Sequence, residues 1–142
     1  MTVRTDDGQV SVMIIGFFIL VTLLIAVVVD TSAAYLRRTA MNNVADGAAL
    51  AAADAVQGEQ VYASGLGDEA PVDAAVAKSY VAGYLADSGT LADYPGIRWR
   101  VEQDGDRITV RVAAPLALPL RVAGWGDDVT VSGEASVLVR VS

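Results

Sequence analysis

Residues Val10 to Val29 form an apolar run with no charged side chain. At about 20 residues it is long enough to cross the hydrocarbon core of a bilayer as a helix. Only Ser11, Gly16 and Thr22 soften it. Asp30 follows at once, then Arg37 and Arg38, then an alanine-rich block from Ala45 to Ala55. No proline falls between the run and Gln57, and Ala, Leu, Met and Arg are good helix formers. The spacing predicts a polar leader over 1–8, a transmembrane helix over 9–30 and its continuation as an Ala-rich helix over 31–57. A helix from Val10 to Gln57 would be about 70 Å long. One small domain cannot cover that length, so part of it needs lipid or neighbouring helices.

The remaining residues, 58–142, are enough for one small core. They are predicted to form an α+β domain, with a second helix followed by a small antiparallel β-sheet. Gly58 and the Ser64 to Pro71 segment read as the first helix's stop and a loop. A second helix is expected over Val72 to Leu85, with the stripe Val72, Val76, Tyr80 and Tyr84, and Leu85 beside it, facing the core. Asp87-Ser88-Gly89 would end it. In the alanine-rich helix the apolar positions Ala33, Leu36, Ala40, Val44, Ala48, Ala51 and Ala55 recur at spacings of three and four. That face is small, and small faces let two helix backbones approach closely.

Ile97, Trp99 and Val101 alternate with charged residues, as do Ile108, Val110 and Val112. An Asp104-Gly105 turn between the two strands would set Val101 opposite Ile108, Trp99 opposite Val110 and Ile97 opposite Val112. Pro115 and Pro119 would keep the next segment at a sheet edge or off the ladder. Gly124 to Asp128 reads as a turn, and Val129 to Val141 as a final alternating strand, with Gly133 a bend or bulge.

Charge and composition exclude several classes of function. The chain carries a net charge of −7, and it has no Cys and no His. Residues 1–39 hold three Arg and three Asp, so the distal part carries the acidic excess. An acidic domain does not suit nucleic acid. Disulfides, thiol nucleophiles and histidine acid–base chemistry are absent. Gly65-Leu66-Gly67 and Gly124-Trp125-Gly126 lack the lysine and spacing of a phosphate loop. Asp104 with Asp106, and Asp127 with Asp128, lack calcium-loop spacing and read as turn residues. The expectation is a non-enzyme with no metal and no cofactor.

Three readings of the apolar run remain open from the residues alone. It can be a cleaved signal with Ser32-Ala33-Ala34 as the site, a plain anchor, or a helix behind a leader cut between Gly8 and Gln9. Arg4 competes with Arg37 and Arg38 for the cytoplasmic side, so charge alone does not orient the chain.

The segment from Gly8-Gln9-Val10 through the apolar helix, Val29-Asp30, Tyr35-Leu36-Arg37-Arg38, Met41-Asn42-Asn43 and Ala45-Asp46 to Ala48-Ala49-Leu50-Ala51 resembles the N-terminal region of TadE/TadG-like Flp pilus-assembly proteins. The resemblance covers residues 8 to 55. It implies a pilin-like fold and a minor pilin or assembly component of a bacterial tight-adherence (type IVb) pilus. It also implies a single pass through the cytoplasmic membrane, with the C-terminal domain extracytoplasmic and a place in a surface pilus within reach. Membrane lipid, other pilin-like or Tad assembly subunits and a prepilin peptidase are the implied partners. Asp30, Arg37, Arg38 and Asp46 are the candidate partner contacts. Processed members carry a glutamate shortly after the cleavage glycine, and here the fifth residue after Gly8 is Met13. Larger TadG-like members carry an Asp-x-Ser-x-Ser metal motif, which this chain lacks. The alternatives are a membrane-tethered binding module and a secreted small domain.

Overall fold

A computed structural model describes residues 7–64, 74–116 and 129–139. Helix α1 runs unbroken over Asp7–Ser64, 58 residues, or about 87 Å at the usual rise. It passes through Gly58 and is described as far as Ser64, so the expected stop at Gly58 is corrected. A single interior glycine costs a helix about 1 kcal/mol, too little to end one that is held elsewhere. Gly8 and Gln9 lie in the first turns of α1. Thr22, Thr31, Ser32 and Thr39 each donate a hydroxyl hydrogen bond to the carbonyl four residues back, at 2.7–3.1 Å. Their polar atoms are thereby satisfied inside the helix itself.

The two halves of α1 live in different surroundings. From Val10 to Val29 none of the side chains is buried. From Met41 onward α1 is the backbone of a core: Met41, Ala45, Ala48, Ala49, Ala52 and Val56 are buried. This face is rotated from the expected one. Leu36 is exposed, and Ala40, Val44, Ala51 and Ala55 are half-buried at the margin.

Helix α2, Ala74–Asp87, lies antiparallel to α1: Tyr84 covers Gly47, and Tyr94 beyond the helix end reaches Arg37. Its buried face is Ala77, Val81 and Leu85. The expected stripe is therefore corrected, with Tyr80 exposed and Val76 and Tyr84 half-buried. Alanine at 77 brings α2 close to the alanines of α1, whereas tyrosine at 80 has no room there. Residues 72 and 73 lie outside the described residues. Gly89 has φ +74 and follows the helix end as expected. A short helix α3, Thr90–Asp93, then starts, and the buried Thr90 hydroxyl is bonded to Ser88 at 2.7 Å.

Strands β1 (Arg98–Asp104), β2 (Arg107–Pro115) and β3 (Thr130–Leu138) form an antiparallel sheet in the order β1-β2-β3. The helices cover one face. Ile108, Val110 and Val112 of the central strand are fully buried there, each contributing about 1.5–3 kcal/mol. The hairpin register differs from expectation by two residues. The turn is Gly105-Asp106, so Gln103 faces Ile108, Val101 faces Val110 and Trp99 faces Val112. Gly105 has φ +56 and no other residue type takes positive φ among the described residues. An Asp104-Gly105 turn of the I′ type would force Asp104 into that region, whereas a turn with glycine first does not. The slip of two keeps every side chain on its own face.

Gly133 is not a bulge. It pairs regularly with Val112, and a Cβ on it would overlap the Met41 carbonyl and the Asn42 amide of α1. The glycine is there for close approach of helix to sheet. Pro115 ends the central strand paired with Thr130, rather than opening an edge segment. Pro119, the Gly124 to Asp128 turn and Val141 lie outside the described residues.

Gly133→Ala is expected to destabilise the domain by about 1–3 kcal/mol, since backbone must move to admit the methyl group. Gly47→Ala meets only the tip of the Tyr84 ring, which can swing, and helix propensity returns about 1 kcal/mol. Thermal unfolding of the detergent-solubilised chain should therefore show a clear fall in Tm for the first variant and little change for the second.

Candidate assembly surface

With one face of α1 committed to the core, the opposite face is left to solvent. Leu36, Asn43, Asp46, Leu50 and Asp54 are exposed along it, at the three- and four-residue spacing of one helical stripe. It continues without a break into the bare apolar run. Leu36 and Leu50 are 67% and 59% exposed, far more than their own domain could use.

The four residues singled out from sequence fall in three different places. Asp30 is half-buried at the end of the apolar run, and Asp46 is exposed in the middle of the stripe. They are separated by about 24 Å of helix, so they form no common site. Arg37 turns toward the domain, its guanidinium carbon 4.2 Å from the centre of the Tyr94 ring. Its Nε is buried with no hydrogen-bond partner among the described residues, and the ring face supplies the electrostatic partner instead. Arg38, one residue and about 100° further round the helix, is exposed. With Asn42, Arg111, Ser132 and Glu134 it lines an open recess of ≈ 370 Å³.

Sequence reading missed the charge network on the uncovered face of the sheet. Arg111 Nε donates to Glu134 Oε2 at 2.6 Å, and its Nη1 reaches Glu102 at 3.2 Å. Arg100 lies 3.8 Å from the same Glu102. The Glu134 hydrogen bond, then the Glu102 charge, raise the Arg111 pKa above its ordinary value. Arg111 and Arg100 face each other across the ladder, and the two glutamates neutralise a pair that would otherwise repel. The correct register would have revealed this network, because it places Arg111 between Arg100 and Glu134.

A second surface feature is the shallow groove between α1 and α2. Ala51, Ser79 and Gly83 line it, with Tyr80 and Tyr84 at its sides. Among the described residues no group of three or more acidic side chains comes together as a metal site. What the surface offers is shape: a long helix face, bulky and apolar at one end and mixed polar at the other.

Residues 8–55 match the Tad family model, whose description is "Putative Flp pilus-assembly TadE/G-like". No curated protein and no solved structure matches the chain. The match lies within α1, starting at its second residue and ending one residue before the buried Val56. It therefore spans the bare run, the stalk with Arg37 and Arg38, and most of the core-forming face. Over residues 8–55 the chain is thus similar to TadE/G-like Flp pilus-assembly proteins, which supports a role in pilus assembly.

Proposed function

We propose that the chain is a pilin-like structural subunit, a minor pilin or pseudopilin, of a Tad/Flp type IVb pilus or a related secretion system. It is held by one pass through the bacterial cytoplasmic membrane, with its α+β domain extracytoplasmic. It acts by helix packing with the membrane machinery or with similar subunits, and not by catalysis. The observation that carries this reading is the continuity of α1. A single helix is bare and apolar in its first half and the core of the domain in its second. A displacement of one half is therefore transmitted to the other without a hinge. Moving the run from lipid to a neighbour's helix changes its apolar surroundings little, so close packing and not the hydrophobic effect would decide the exchange. Gly16 and Ala26 are small residues on that run.

Intact mass and N-terminal sequence of the native membrane-fraction protein, with and without the prepilin peptidase, test the reading. A start at Gln9 that depends on that enzyme is the expected result for a processed subunit. Retention of Met1 or Thr2 would make it a permanent anchor with an assembly role. A start near Tyr35 would overturn the proposal in favour of secretion. A C-terminal alkaline phosphatase fusion should be active in cells, and an inactive but stable fusion would reverse the topology.

The exposed stripe and the inward arginine should separate in mutants. Asp46→Arg is expected to leave Tm unchanged and to lower the recovery of partner subunits in a crosslinked pull-down. Arg37→Gln should do the converse. It loses the ring contact and about 0.5–2 kcal/mol of domain stability, seen as a fall in Tm. Equal effects of both variants on Tm would show that Asp46 serves the fold.

A further inference from the structure

The path of the chain turns one end of the domain toward the membrane. Helix α2 descends beside α1 until Tyr94 lies against Arg37. Strands β1 and β3 begin, and β2 ends, at this same end. Arg98 pairs with Ala113, which pairs with Ser132, and the next residue, Gly133, lies on Met41 and Asn42 of α1. Met41 is twelve residues beyond Val29, about 18 Å further along the helix axis. From Gly133 back to Val129 the chain heads toward the apolar run, and four extended residues can span up to about 13 Å of that distance. Leu116 lies beside Val129, its amide bonded to the Val129 carbonyl at 2.8 Å. The headgroup zone is itself about 5–8 Å deep on each side of the hydrocarbon.

The side chains at this end suit that zone. Leu91 and Val129 are 47% and 41% exposed. Arg38 and Arg98 are exposed, and neither makes an ion pair among the described residues. In the sequence Asp93 precedes Tyr94 and Asp127-Asp128 precede Val129, so this end carries acids as well as arginines. What it presents toward the bilayer is exposed apolar side chains together with two arginines that make no ion pair among the described residues, and lipid phosphates attract such cations.

We propose that Leu91, Val129, Arg38 and Arg98 form a seat on the phospholipid headgroup surface of the bilayer that holds α1. The proposal rests on the reading of Val10 to Val29 as a membrane span. The two apolar side chains enter the interfacial layer and the two guanidinium groups meet lipid phosphates. The seat fixes the domain at one tilt over the membrane, so a subunit lifted from the bilayer must first break it.

The chain has no cysteine, which makes the test direct. Leu91→Cys, Val129→Cys, Asp106→Cys and Ile19→Cys are each labelled with a fluorophore in the full chain. The labelled chains are reconstituted in vesicles of phosphatidylethanolamine and phosphatidylglycerol. Lipids carrying a nitroxide on the headgroup should quench the labels at 91 and 129 several-fold more than the label at 106. Adding Arg38→Gln and Arg98→Gln should reduce that quenching. Equal quenching at 91, 129 and 106, with the label at 19 still quenched by an acyl-chain nitroxide, overturns the seat and leaves the span intact. No acyl-chain quenching at 19 overturns the span and the seat with it. Unchanged quenching in the double variant overturns the part given to the arginines.

Discussion

The closeness of α1 to the sheet governs the rest of the domain. A helix built from Ala45, Ala48, Ala49, Ala52 and Ala53 buries little area per residue, so it stabilises a core only by letting its backbone come near. The sheet is graded to receive it. Across the rows of the buried face, Trp99 gives way to Val112 and then to Gly133, and Val101 to Val110 and then to Ala135. Bulk falls from β1 to β3, and α1 packs mainly over β3 while α2 covers β1. The glycine at 133 and the tryptophan at 99 are thus two parts of one arrangement, a sheet surface that slopes beneath two helices of unequal thickness. Central Ile108, Val110 and Val112 supply the apolar volume that the alanines do not.

Much of this fold was legible in the sequence. Length and lack of charge marked the bare run, and lack of proline marked its continuation as one helix. Alternation marked which strand residues face inward. What alternation could not settle was register, because a slip of two residues leaves both faces unchanged. Apolar matching favoured Val101 opposite Ile108, but the turn backbone decided otherwise. Placing Gly105 first in the turn spares Asp104 a left-handed conformation, which an L-residue adopts at a cost of about 1–2 kcal/mol. Gln103, half-buried opposite Ile108, is accommodated by donating its amide to the Gly105 carbonyl at 3.3 Å.

The helix faces were harder to read for a different reason. Alanine fills most positions from 45 to 55, so a periodicity search finds several equivalent stripes, and the true one is set by where Met41 and Val56 must go. The arginine pair shows the same limit at finer scale. Arg37 and Arg38 are chemically identical and adjacent, and Arg37 turns inward because it lies four residues before the buried Met41 on the same helix face, where Tyr94, far along the chain, meets it. The family resemblance identified the segment but could not assign these two side chains different roles.

The uncovered stripe of α1 then has a consequence for how such a subunit would pack. A neighbour following it from the bilayer outward would meet uncharged and mainly apolar side chains up to Val29. Beyond Asp30 the stripe becomes polar, with Leu36 and Leu50 spaced among Asn43, Asp46 and Asp54. In lipid, apolar side chains gain little by leaving one apolar neighbour for another, so the lower part of the stripe sets no strong preference for a partner over lipid. In water each leucine that finds a partner gains hydrophobic free energy, while each carboxylate must stay solvated or be matched by a cation. Selectivity between partners would therefore reside in the upper half of α1, where burial is rewarded and mispaired charge is penalised. Because α1 has no break between its halves, a choice made around Asp46 also fixes the rotation of the apolar run about its own axis. On the proposed reading, one helix would in this way couple recognition outside the membrane to packing within it.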